Sequence, residues 1–269
     1  MKKFLFMFLV LISIGFLSSS AFGKALLIED VTPWDGSGQS NAVTLSQLSI
    51  DFDLVNSSTY AGMSDLSSYD YIVYSSDQYK SYYDNIASNY GLIDDFVYNG
   101  GTLLAHAAMW GWHYSPVGTT YDLSNFMPGG DNISVKQYSN TVNILDPTAP
   151  VIDGPAGVVT EASLQAWNYS THGYFTGVED LDNFNAIIGI GDETKACYIE
   201  YTYGAGTVRA NVMTMEWGQY EAQAGSRDIF RKNEYYQVEN EINGVPEPAT
   251  MLLLGTGLVG LAVFRRKFK

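Results

Sequence analysis

Three short runs carry no charge: Ala25-Leu26-Leu27-Ile28, Tyr71-Ile72-Val73-Tyr74 and Thr102-Leu103-Leu104-Ala105. They constrain the fold more than any other feature. A strand with one wet face alternates apolar and polar residues, whereas a run that is apolar throughout must be covered on both faces. Phe52–Val55 reads as a further strand. Between the last two runs, over about Ser81–Tyr98, Tyr82, Ile86, Tyr90, Ile93 and Val97 recur at steps of four and three, one face of a helix. Asn99-Gly100 ends that helix, because glycine accepts the left-handed cap. A shorter helix over Asn41–Ser49, capped by Ser40, turns Val43, Leu45 and Leu48 inward. Strands alternating with helices predict an α/β fold built on a mostly parallel sheet covered on both faces.

The pattern weakens after His106. Residues 110–130 form a loop rich in Gly, Trp and Pro, Thr141–Leu145 reads as a short strand, and Leu164–Phe175 is ambiguous. Ala186–Ile190, Tyr198–Tyr203 and Thr207–Met213 read as late strands. Tyr203-Gly204-Ala205-Gly206 turns between the last two, which predicts an antiparallel hairpin. Arg227–Asn240 reads either as a closing helix or as a polar stalk.

In an open parallel sheet, ligands bind beyond the carboxyl ends of the strands. That rule selects Glu29 and Asp30, Asp77, His106, and Glu216 with Trp217. Trp110 and His113 lie on the loop above this rim, and His172 on a segment that can fold over it. His106, with Asp77 and Glu216, is the catalytic candidate, since a histidine near its reference pKa of about 6.5 moves protons at neutral pH. The alternative is a histidine that only bonds backbone groups at a strand end. Asp30, Trp34, Trp110, His113, His172 and Trp217 are the candidate ligand-binding residues. Trp34, Trp110, Trp112 and Trp167 can form a sugar-stacking wall or pack into the core. A divalent metal held by His106, His113 and His172 with Asp77 or Glu216 matches no compact ligand motif, so no cofactor is expected. The single cysteine, Cys197, reads as a small buried residue and excludes an internal disulfide. No G-x-S-x-G elbow is present.

Both ends carry targeting features. Lys2 and Lys3 precede the apolar run Phe4–Phe16, and Ala21-Phe22-Gly23 offers a small-x-small cleavage site, as in a secretory signal peptide. The opposite end reads Val245-Pro246-Glu247-Pro248, then 16 uncharged residues, Ala249–Phe264, then Arg265, Arg266, Lys267 and Lys269. As a helix, that apolar run spans roughly 24 Å, a little short of a bilayer core of about 30 Å. The basic finish stays on the cytoplasmic side and leaves the body outside. Six of the 14 basic residues sit in the leading and trailing segments, so over Lys24–Pro248 the other 8 face all 29 acidic ones, a formal charge of 8 − 29 = −21. Such a body is expected to repel nucleic acid and anionic lipid.

The tail resembles the PEP-CTERM sorting signal of Gram-negative bacteria, carried by Val245-Pro246-Glu247-Pro248, the apolar span and Arg265-Arg266-Lys267. The resemblance implies recognition by an exosortase and cleavage near Pro246-Glu247-Pro248; the N-terminal signal peptide adds the Sec machinery and signal peptidase as expected partners. It also implies a membrane-anchored stage, then the cell surface or an extracellular polysaccharide matrix. An uncut C-terminal anchor is the alternative.

The body has a resemblance of its own. Gly100-Gly101-Thr102-Leu103-Leu104-Ala105-His106-Ala107-Ala108 with Trp110, and Tyr203-Gly204-Ala205-Gly206-Thr207-Val208, are similar to stretches of ThuA-like proteins. These belong to the class I glutamine-amidotransferase-like folds. That implies a flavodoxin-like three-layer fold with a late hairpin, but it does not fix an activity. Amidotransferases place a cysteine nucleophile at the sharp turn after the fourth strand, where this chain has His106-Ala107-Ala108, so glutamine hydrolysis is not expected.

The expected organisation is a signal peptide at 1–23, the α/β domain at 24–218, a helix or stalk at 219–244 and the sorting signal at 245–269. Two functions remain open. One is a non-catalytic surface or matrix protein that binds carbohydrate or a partner; the other is an exported sugar- or glycoside-acting enzyme using His106.

Overall fold

The computed structural model describes residues 23–35, 41–111, 113–165, 169–220 and 225–242. The targeting features at 1–22 and 245–269, as well as Ser40, Trp112 and Trp167, lie outside the described residues. Gly23–Val238 forms one compact unit. Met1–Phe22 and Glu239–Lys269 are grouped separately, and only Glu239–Ile242 of that group is described. Among the described residues no helix is long and apolar enough to cross a membrane.

The chain opens with β1 (Ala25–Ile28), β2 (Phe52–Val55), β3 (Tyr71–Tyr74) and β4 (Thr102–His106). There follow β5 (Thr120–Asp122), β6 (Ser134–Asn140), β7 (Asn143–Ile144), and the two-residue pair β8 (Asp153–Gly154) and β9 (Gly157–Val158). The last strands are β10 (Thr171–Thr176), β11 (Asn185–Ile190), β12 (Asp192–Tyr203) and β13 (Gly206–Asn211). The main sheet runs β2-β1-β3-β4-β13-β12-β11-β7. Its first five strands are parallel and the rest antiparallel. A second, antiparallel sheet runs β10-β6-β5. The apolar runs of β1, β3 and β4 are buried along their whole length, as a strand covered on both faces requires.

The helices are α1 (Asn41–Gln47), α2 (Ser57–Ala61), α3 (Lys80–Ser88), α4 (Tyr90–Tyr98), α5 (Glu161–Leu164), α6 (Met215–Tyr220) and α7 (Gly225–Ile242). The single helix expected over Ser81–Tyr98 is two, broken at Asn89, whose φ of −122° is not helical. The Asn89 amide donates to the carbonyls of Tyr60 and Met63, a local alternative that competes with helix continuation. Tyr82, Ile86, Ile93 and Val97 still point into one core.

The late hairpin forms as the glycines require. Gly204 adopts φ +59°, and a Cβ there would sit 2.4 Å from the Tyr98 carbonyl oxygen. The turn therefore lies directly against the end of α4. The segment after the expected 218 boundary belongs to the body: Phe230, Tyr235 and Val238 of α7 are fully buried, and Phe230 meets the Tyr198 ring edge-on at 5.5 Å. An apolar stripe of this kind closes a core, so residues up to Val238 are domain, not stalk.

Candidate functional site: the carboxyl ends of the parallel strands

From β1 the chain runs outward to β2, then crosses back to β3 on the other side of β1. The carboxyl ends of β1 and β3 thus flank the topological switch point, where open α/β sheets bind ligands. Here the protein's own side chains bond across the strand ends. The Gln78 carbonyl oxygen accepts from the backbone of Asp30 at 2.8 Å and Val31 at 3.0 Å, while its amide donates to the Val31 and Ser76 carbonyls. Beside it, the Ser75 hydroxyl donates to Glu29 at 2.7 Å and accepts from the Asn41 amide, and Asn41 in turn accepts from Arg231 and Tyr235.

One strand over, His106 ends β4. Its Nδ1 lies 3.0 Å from Glu216 Oε1 and its Nε2 lies 3.0 Å from Glu234 Oε2. The three side chains are 1–2% exposed. A carboxylate only accepts, so a ring flanked by two of them donates from both nitrogens and is an imidazolium. Burial alone pulls the histidine down, but the Glu234 and Glu216 carboxylates outweigh it and hold His106 up at about 9. Burial pushes Glu216 up, yet His106 and Arg231 bring it down to about 2. Burial raises Glu29, next to this group, to about 7.

Asp77 does not join His106. It takes a left-handed backbone, φ +50°, just past β3. One carboxyl oxygen accepts from Trp34 N at 2.7 Å and lies 3.0 Å from His113 Nδ1; the other accepts from His113 N at 3.1 Å. The strained residue at a strand end therefore follows β3, whereas positions 106–108 after β4 have no positive φ. The arrangement requires Gly111, because a Cβ there would come 1.7 Å from Asp77 Oδ1. Asp77 is already fixed by three bonds and cannot yield. Gly111→Ala is accordingly expected to cost about 1–3 kcal/mol, read as a lower urea midpoint.

The remaining candidates have structural partners. Asp30 accepts from the Ser57 backbone and hydroxyl, holding the start of α2. Trp34 is buried, edge-on to His172 at 6.2 Å, and Trp110 packs on Tyr121 at 4.5 Å. The His172 ring has no partner for Nδ1 among the described residues, and burial pulls it down to about 4. Trp217 is partly buried on α6. Cys197 is fully buried with its thiol pushed up to about 12 by burial, which fits a packing residue and not a nucleophile. A cleft of about 450 Å³ lies at the opposite end of the sheet, before β3 and β4, beside Asp70 and Gly101.

Reading the sequence alone missed Glu234, Arg231, Asn41 and Ser75. Only Glu234 had a signal there: it falls between Phe230 and Val238 at steps of four, an acid on an apolar stripe.

A family model decides the role of the tail. Residues 244–267 match the PEP-CTERM protein-sorting motif. The tail carries a PEP-CTERM sorting motif. It implies export, with membrane anchoring through the C-terminal region.

The chain is 27% identical over 216 residues to an uncharacterized protein of Clostridium acetobutylicum, an alignment that takes in 78% of this chain. The chain spans only 20% of that relative's length. Among solved structures, it is similar to a cytoplasmic protein from Salmonella typhimurium at 15% identity, covering 80% of this chain and 98% of that one, with a TM-score of 0.49. It is similar to a glutamine amidotransferase from Thermotoga maritima at 10% identity, covering 82% and 98%, TM-score 0.49. An exo-beta-1,4-mannosidase from an Opitutaceae bacterium matches at 13% identity over 88% of this chain and 39% of its own, TM-score 0.49. The mixed α/β architecture itself is carried by the strand order given above.

Proposed function

We propose that this chain is an exported surface or matrix protein whose α/β body binds carbohydrate or a partner without catalysing a reaction. One observation carries the reading. The place where this kind of sheet works on ligands is occupied by an internal ion-pair cluster, with His106, Glu216 and Glu234 almost wholly buried and both histidine nitrogens engaged. A general base needs an open nitrogen within reach of its substrate, and a ring held as imidazolium up to about pH 9 offers none. The side chains of Gln78 and Ser75, committed to bonds across the switch point, support the same reading. The sorting tail supports delivery to the outer surface, where the runner-up, an exported enzyme acting on sugars through His106, would also operate.

The exported protein is expected to co-sediment with extracellular polysaccharide from the producing cells and to leave that material uncleaved. Turnover of a glycoside that disappears in a His106→Gln variant still melting cooperatively would overturn the proposal.

A further inference from the structure

We propose that the exposed face of the small sheet around Tyr138, with Lys195 of β12 in the main sheet reaching over it, binds an anionic polysaccharide. The inference deepens the carbohydrate-binding reading above and rests on it. Lys136 and Tyr138 are two apart on β6 and share a face, and Tyr174 on β10 stands opposite Lys136 in the register. The Tyr138 and Tyr174 rings meet edge-on, 6.2 Å between centroids, and Tyr138 is 44% exposed. The Lys195 ammonium lies 5.5 Å from the centre of the Tyr138 ring. Val135 and Phe175, the neighbours pointing the other way, are buried and anchor this face to the core.

Charge singles out the patch. Lys24, Lys80, Lys232 and Arg209 each pair with an acid, and Arg231 is buried against Asn41. Among the described residues, Lys136 and Lys195 are the lysines that make no ion pair. In a body with 8 basic residues against 29 acidic ones, both fall on one aromatic face. Of the acids nearby, Asp122 accepts from Ser124, while Asp192 accepts from Thr194 and is held down in part by the Lys195 charge, without an ion-pair contact. Tyrosine rings pack on the apolar faces of sugars while their hydroxyls stay wet. Ammonium groups add charge-assisted bonds to carboxylates or sulfates on the same chain. The overall negative charge is screened beyond about 8 Å at physiological salt, so the local lysines govern contact. The patch is too polar for an apolar protein partner, and its tyrosine faces suit sugar rings.

The test is affinity electrophoresis of the exported protein in gels containing polygalacturonate or neutral dextran. Retardation by polygalacturonate alone is expected, weakened about tenfold or more by Tyr138→Ala and by Lys195→Glu, with unchanged melting temperatures. Retardation that neither variant alters, or that dextran produces equally, overturns this site while leaving carbohydrate binding standing. If neither polymer retards the protein, and matrix polysaccharide from the producing cells does not either, both readings fall.

Discussion

His106→Ala is expected to destabilise the body by about 3–5 kcal/mol, because it leaves Glu216 and Glu234 buried without their cation. Urea unfolding followed by tryptophan fluorescence would read the loss. Replacing all three residues by apolar ones of similar volume should recover much of it, since a buried ion cluster contributes little beyond offsetting its own desolvation. A His106→Ala variant as stable as the parent would mean that the ring does not bridge the two carboxylates.

The same cluster sets an unusual pH dependence. His106 is raised from 6.5 to about 9, so its contribution is complete below 6.5 and is lost as pH climbs through 9. Glu29 is raised from 4.5 to about 7, which also favours the folded state at lower pH and penalises it between those values. Glu216 is lowered from 4.5 to about 2, so its contribution is present above 4.5 and is lost as pH falls through 2. His172, lowered from 6.5 to about 4, gains stability as pH rises from 4 to 6.5 and offsets Glu29 there. Stability should therefore stay roughly level between about pH 4.5 and 6.5 and decline by a few kcal/mol toward pH 9, as His106 loses its proton. A series of urea midpoints across that range checks the slope.

The second large effect concerns the tail. In cells with a working exosortase, intact-mass measurement of the exported protein should show a C-terminus without Arg265–Lys269, cut near Pro246-Glu247-Pro248. Replacing those three residues with alanine should leave the full tail attached and the protein in the membrane fraction. Proline cannot continue a helix and alanine favours one, so the replacement changes the backbone a processing enzyme would have to recognise. Surface material that still carries Arg265–Lys269 would make the tail a plain anchor.

The parallel half of the sheet was legible because β1, β3 and β4 are apolar throughout, a local pattern with one physical solution. The hairpin was legible from Gly204, and Asn99-Gly100 marked the end of α4. The break at Asn89 was not, because the apolar spacing continues across it and only the tertiary carbonyls of Tyr60 and Met63 draw the side chain out. The rim rule located His106 and Glu216 on neighbouring elements. It could not see that Asp77 turns to His113, because that depends on one left-handed residue and the space at Gly111. Glu234, 128 positions from His106, was hidden by its distance along the chain. A histidine at a strand end is an open base or a filled ion pair according to what packs over it, and α7 decides that here.

The most direct measurement is a nitrogen-resolved NMR titration of the His106 ring in the exported protein. This account predicts protons on both Nδ1 and Nε2 at pH 7.5, with deprotonation near pH 9. A single-proton tautomer at pH 7.5, titrating near 6.5, would contradict it and return His106 to the role of an available base.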